Sequence, residues 1–99
     1  MRTPIHPGTI LGDEIEEMNI TAARLAEAIG VPPNRLYQII AGKRDITADT
    51  SLRLGKYFGM SDQFWLNLQK IYDLDRARLE IGPALKSIKP RPQTAPAHA

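Results

Sequence analysis

Residues Thr21 to Ile40 read TAARLAEAIGVPPNRLYQII. Two short amphipathic stretches meet here at a glycine. Leu25, Ala26 and Ile29 mark the apolar side of the first, and Leu36, Ile39 and Ile40 that of the second. The four residues between them, Gly30-Val31-Pro32-Pro33, leave room only for a sharp turn. Gly30 tolerates the left-handed conformation that ends a helix. Pro33 suits a first helical position and drives Pro32 out of the α region, so the turn cannot be absorbed into the second helix. This is the pattern of a helix-turn-helix, whose second helix can enter the major groove of DNA.

The residues on either side read as three more helices. Pro7 opens the first, with Ile10, Leu11, Ile15 and Met18 as its inner stripe and Asn19 as a left-handed stop. Thr21 is the N-cap of the second helix, and Gly42 closes the third. Thr47 caps a fourth, with Asp49 in its first turn, apolar surface at Leu52, Leu54, Tyr57 and Phe58, and Gly59 as its end. A fifth is expected after Ser61. There Phe64, Trp65, Leu68, Ile71 and Tyr72 form a wide apolar stripe. No strand alternation or hairpin turn appears. From Gly82 onward Pro83, Pro90, Pro92 and Pro96 leave little room for a helix. The sequence therefore predicts an all-α domain of five helices over residues 1–81 and a flexible, basic, proline-rich tail over residues 82–99.

A chain of 99 residues makes one domain with one modest core. The hydrophobic fraction of 42% excludes global disorder. The absence of cysteine excludes a disulfide framework and thiolate metal sites. No apolar run spans a bilayer and no secretory core opens the chain, so no membrane association and a cytoplasmic location are expected. The net charge is only +2, but it is unevenly spread. Asp13, Glu14, Glu16 and Glu17 crowd the first helix. Arg35, Lys43 and Arg44 cluster later, and Lys86, Lys89 and Arg91 lie in the tail. An acidic and a basic face would orient the domain toward a polyanion.

The outward side of the third helix carries the chemistry. At 100° per residue, Asn34 and Gln38 fall opposite Leu36, Ile39 and Ile40, with Arg35 and Tyr37 on the flanks. Both amides can make the bidentate pairing that recognises adenine, and Arg35 can pair with a guanine edge or a phosphate. Pro33 stands at the tip of this helix. Tyr37 is suited to a phosphate or a thymine methyl. Lys43 and Arg44 lie just past the helix and suit phosphates, and Thr21 offers its hydroxyl and a helix N-terminus to a phosphate.

Catalysis is not expected. His98 lies in the tail, and His6 has no partner spaced for metal ligation and is read as a capping or packing residue of the first helix. Phosphate-cradling and nucleophile motifs are absent, and the four acids read as a solvated face. No cofactor is implied. The stripe of Phe64, Trp65, Leu68, Ile71 and Tyr72 is large for so small a domain. Trp65 itself reads foremost as core, and the remainder as a candidate homodimer interface. A two-fold dimer would set two recognition helices about 34 Å apart, one turn of DNA.

Several segments together resemble the HigA antitoxins, a branch of the Xre/Cro-like helix-turn-helix group. These are His6-Pro7-Gly8, Ile10-Leu11, the helix-turn-helix, Gly42-Lys43-Arg44-Asp45-Ile46-Thr47-Ala48-Asp49-Thr50, Leu52-Arg53-Leu54, Trp65-Leu66-Asn67-Leu68-Gln69 and Tyr72-Asp73-Leu74. The resemblance runs from about Pro4 to Arg78. It implies a λ-repressor-like domain that binds operator DNA as a homodimer, with the recognition helix over Pro33 to Ala41 and Lys43, Arg44 and Thr47 bordering the DNA, that represses its own operon and neutralises a RelE-like HigB toxin that cleaves mRNA. The alternative is a stand-alone Xre-type repressor without a toxin. Two positions depart from the family pattern. Thr9 follows Gly8 where glutamate is common, and Pro32 stands where a serine often caps the third helix.

Overall fold

The computed structural model describes residues 2–92 and places five helices in the order expected. They are α1 (Pro7–Glu17), α2 (Ala22–Ile29), α3 (Pro33–Ile40), α4 (Ala48–Phe58) and α5 (Phe64–Ser87). No strand occurs among the described residues.

Local chemistry sets both ends of α1, α2 and α4. His6 is the N-cap of α1, its Nδ1 accepting the Gly8 N–H at 2.8 Å. Asn19 takes the left-handed conformation just past that helix, at φ 58°. Thr21 Oγ1 accepts the Arg24 N–H at 3.1 Å at the start of α2. Gly30 ends α2 at φ 76°, and the Val31 N–H folds back onto the Ala26 carbonyl at 3.0 Å. Pro32 gives α3 no side-chain cap, the consequence of proline where a serine would bond. Thr47 caps α4, and Gly59 stops it in the left-handed region.

The helices enclose one core of Leu11, Ile15, Leu25, Ala26, Ile29, Val31, Leu36, Ile39, Ile46, Leu54 and Trp65. Ala26, with its small side chain, is fully buried, as the close meeting of α2 and α3 requires. Gly8 allows a second close approach. A Cβ there would run into the Ile39 carbonyl oxygen, so only glycine lets the start of α1 rest on the end of α3.

Four expectations need correction. Met18 is exposed because α1 ends at Glu17 and Met18 already belongs to the cap. Leu52 and Tyr57 are exposed as well, leaving Leu54 as the fully buried apolar residue of α4. The fifth helix begins at Phe64, two residues later than the Ser61 cap predicts. Ser51 of α4 does the capping instead: its Oγ donates to the Asp62 carbonyl at 2.7 Å and accepts the Leu66 N–H at 3.0 Å. Finally, helix α5 does not stop before Gly82. It breaks at Ile81 (φ −114°, ψ 17°) and resumes to Ser87 with Pro83 inside it. Beyond that break Pro83 sits in a new first turn, where its missing N–H costs no helical hydrogen bond. The rest of the expected tail, with Pro96 and His98, includes residues 93–99, which lie outside the described residues.

The inward side of α5 also differs from its apolar pattern. Trp65, Gln69 and Asp75 are buried, while Phe64 and Ile71 are 37% and 43% exposed. Trp65 is therefore a core residue, in aromatic contact with Phe58 and Phe64. It is wholly covered within one chain and cannot form part of a dimer surface. Leu68 and Tyr72 are half-buried; Leu68 packs on the core, and the Tyr72 ring meets His6 edge-on at 4.9 Å.

Candidate nucleic-acid interface

Leu36 and Ile39 fasten α3 to the core and so fix which side of the helix is free. Pro33 and Asn34 are exposed, Tyr37 is 51% exposed and Gln38 is half-buried. Neither the Asn34 nor the Gln38 amide is engaged by another side chain or the backbone within hydrogen-bond reach among the described residues. Ala41 continues the same exposed side. An α-helix this short, with two free amides a turn apart, has the width and the donor–acceptor set for a major groove.

Past α3, Gly42 turns the chain at φ 76° into the exposed residues Lys43, Arg44 and Asp45. Two bonds hold this loop. The Lys43 N–H donates to the Gln38 carbonyl at 2.8 Å. The buried Ile46 N–H donates to Gln69 Oε1, also at 2.8 Å, and Gln69 Nε2 donates in turn to Asp73 at 3.0 Å. A glutamine on α5 thus sets the position of the basic loop, 23 residues earlier in the chain. Nothing in the sequence pattern marks Gln69 for this role, because an isolated polar residue beside an apolar stripe ordinarily faces water.

Arg35 is not free. Its Nη1 donates to Asp49 Oδ1 at 2.9 Å, and Arg53 Nε donates to the same oxygen at 2.8 Å. Arg53 also reaches the end of α2, with Nη1 at 2.8 Å from the Ile29 carbonyl and 3.3 Å from that of Gly30. The network ties α3 and α4 to the turn of the helix-turn-helix. Hydrogen bonds from Arg53 and then Arg35 hold the Asp49 carboxyl below the ordinary carboxylate range. Arg35, Arg44, Asp45, Thr47, Asp49 and Thr50 line an open recess of about 510 Å³ at the N-terminus of α4.

Thr21 is exposed at the head of α2, its hydroxyl oxygen accepting in its own cap while the O–H remains to donate. It borders an apolar groove of about 470 Å³ that ends at Tyr37 and Ala41. The structure thus gathers the expected site residues along the α2 start, α3 and the α3–α4 loop. Asp49, Arg53 and Gln69, to which the sequence assigns no part in the site, stand beside them. His6 is confirmed as a helix cap, as expected.

Two close-packed helices across a glycine turn, an unobstructed outer side on the second and three supporting helices define an Xre-type helix-turn-helix domain. A helix-turn-helix family model matches residues 12–65. The chain belongs to the HigA antitoxin branch of that family. An addiction module antidote protein of the HigA family from Coxiella burnetii superposes with a TM-score of 0.86 at 46% identity, covering 91% of this chain and 99% of the other. The Pseudomonas aeruginosa antitoxin HigA, solved with the higBA promoter, gives 0.85 at 43% identity, over 90% and 99% of the two chains. Antitoxin HigA-1 of Vibrio cholerae is 37% identical over 90 residues, 90% of this chain and 85% of that protein.

Proposed function

We propose that the chain is a dimeric antitoxin that represses its own operon and neutralises a RelE-like HigB toxin. The observation that carries the DNA part is the outer side of α3, where Asn34 and Tyr37 are exposed and the Asn34 and Gln38 amides have no hydrogen-bond partner among the described residues. That the P. aeruginosa relative was solved with promoter DNA supports it. In this reading Asn34 and Gln38 meet base edges, with Tyr37 at the groove wall. Lys43, Arg44, Thr47, Thr21 and Pro33 border phosphates. Repression follows from occlusion of promoter DNA.

The homodimer would form through α5. Phe64 and Ile71 remain available, and the exposed Leu74, Leu79, Ile81 and Leu85 extend their apolar surface along the helix. Exposed apolar residues gathered on one helix in this number favour association. Toxin neutralisation rests on family membership. Among the described residues no helix is long and apolar enough to cross a membrane.

Co-expression with the product of the adjacent gene, then purification on a tag carried by that product alone, tests the antitoxin role. A stable complex that still protects promoter DNA in a footprint is expected. Promoter protection by this chain without any toxin complex would instead identify a stand-alone repressor. No promoter protection by a folded dimer would end the DNA reading.

A further inference from the structure

The acid at the rim of the DNA face needs a reason. Asp49 is exposed, its side chain 56% accessible, on the same surface as Arg44 and Thr47. A carboxylate there repels phosphate and lowers affinity for DNA of any sequence. The helix dipole accounts for an acid in the first turn of α4, but not for the partner it has taken. Its Oδ1 accepts from Arg35, the one charged side chain on α3, and that side chain is left only 28% exposed.

The clamp is anchored. Arg53 shares the same oxygen and is fastened to the Ile29 and Gly30 carbonyls. A Cβ on Gly30 would press on the Arg53 guanidinium at 3.2 Å, so the arginine lies tight against the turn. Asp49 is thereby registered to the helix-turn-helix, and Arg35 is registered through Asp49. An unrestrained arginine has a long, mobile side chain and pairs with whatever phosphate comes near. A restrained one contributes only where the DNA presents an acceptor in the right place.

We propose that Asp49 is a specificity-determining positioning residue, which holds Arg35 in one place and offsets its charge so that Arg35 favours the matching site over phosphate in general. This rests on the DNA-binding reading above. Asp49→Asn keeps the side-chain shape and removes the charge. Affinities for promoter DNA and for random DNA of equal length are measured by fluorescence anisotropy between 50 and 200 mM salt, with circular dichroism to verify folding.

Asp49→Asn is expected to raise random-DNA affinity and to steepen its salt dependence by roughly one phosphate contact. That makes its gain over wild type about threefold larger at 50 mM than at 200 mM salt. The promoter-to-random ratio falls by about threefold or more. In an Arg35→Ala background the same substitution shifts both DNAs alike and leaves the ratio fixed. An unchanged ratio in the Arg35 protein, or the same fall with and without Arg35, overturns the inference. If Asp49→Asn melts below the assay temperature, Asp49→Ser carries the same test. Absence of any promoter preference in the wild type overturns the DNA-binding reading and this inference with it. A preference that Asp49→Asn leaves intact overturns the inference alone.

Discussion

Gln69→Leu is the substitution that tests how α5 supports the DNA face. The Ile46 N–H is buried and donates to Gln69 Oε1 at 2.8 Å. Leucine fills similar space but accepts nothing, and the donor is stranded in the interior. Leaving a buried N–H without a partner costs about 1–3 kcal/mol. Leucine adds some apolar transfer free energy, so the lower half of that range is expected. For a domain of this size each kcal/mol moves Tm by about 4–8 °C, so a fall of roughly 4–16 °C should appear in a thermal melt followed by circular dichroism. Asp73→Ala is the control. It leaves the Ile46 bond in place and removes only the acceptor of Gln69 Nε2, on an exposed acid whose place water can take, so a smaller loss is expected than for the stranded Ile46 N–H. If Gln69→Leu melts within about 2 °C of wild type, or no lower than Asp73→Ala, the bond to Ile46 does not hold the loop and the reasoning fails.

Other substitutions probe other parts of the account. Lys43→Ala should weaken promoter and random DNA about alike and lower the salt slope by roughly one unit; a loss confined to the promoter would place Lys43 on a base instead. Gly8→Ala should cost about 3 kcal/mol or more in a urea titration, because the added methyl meets the Ile39 carbonyl; a near-neutral result would mean α1 can lift away from α3. Trp65→Phe should be far milder than Trp65→Ala, since the buried indole N–H has no hydrogen-bond partner to lose, whereas emptying this site costs about 3–5 kcal/mol. For acid stability, Asp49 titrates below its ordinary value of 3.8 in the folded chain. Its pairing with Arg53 and Arg35 therefore contributes fully above that value and is lost as the pH falls through the lower folded value. Asp49→Asn should flatten stability against pH in that acid window and nowhere else.

The helix boundaries most legible in the sequence were those written in short-range chemistry. Thr21, Gly30, Thr47 and Gly59 act on their own backbone, so type and position suffice to place them. The outer side of α3 was legible for the same reason: Leu36 and Ile39 choose the buried side, and helical geometry does the rest. What escaped depends on partners distant in the chain. Ser51 caps α5 from another helix, Gln69 bonds an amide 23 residues away, and Arg53 reaches back to the α2 turn. The apolar stripe of α5 misled because this helix buries Trp65 beside two polar residues, Gln69 and Asp75, that carry their own partners. Asp75 is neutralised by Arg2 at 3.1 Å and Arg78 at 3.0 Å, and Arg2 comes from the far end of the sequence. Pro83 reads as a helix breaker, and the helix does break, two residues earlier, before continuing.

The most direct test compares wild type with Asn34→Ala/Gln38→Ala on the DNA upstream of its own gene and on random DNA, at one stated salt concentration. Wild type is expected to prefer the upstream DNA clearly, and the folded double variant to bind both sequences with the residual affinity wild type shows for random DNA. A double variant that keeps the full preference would contradict that expectation.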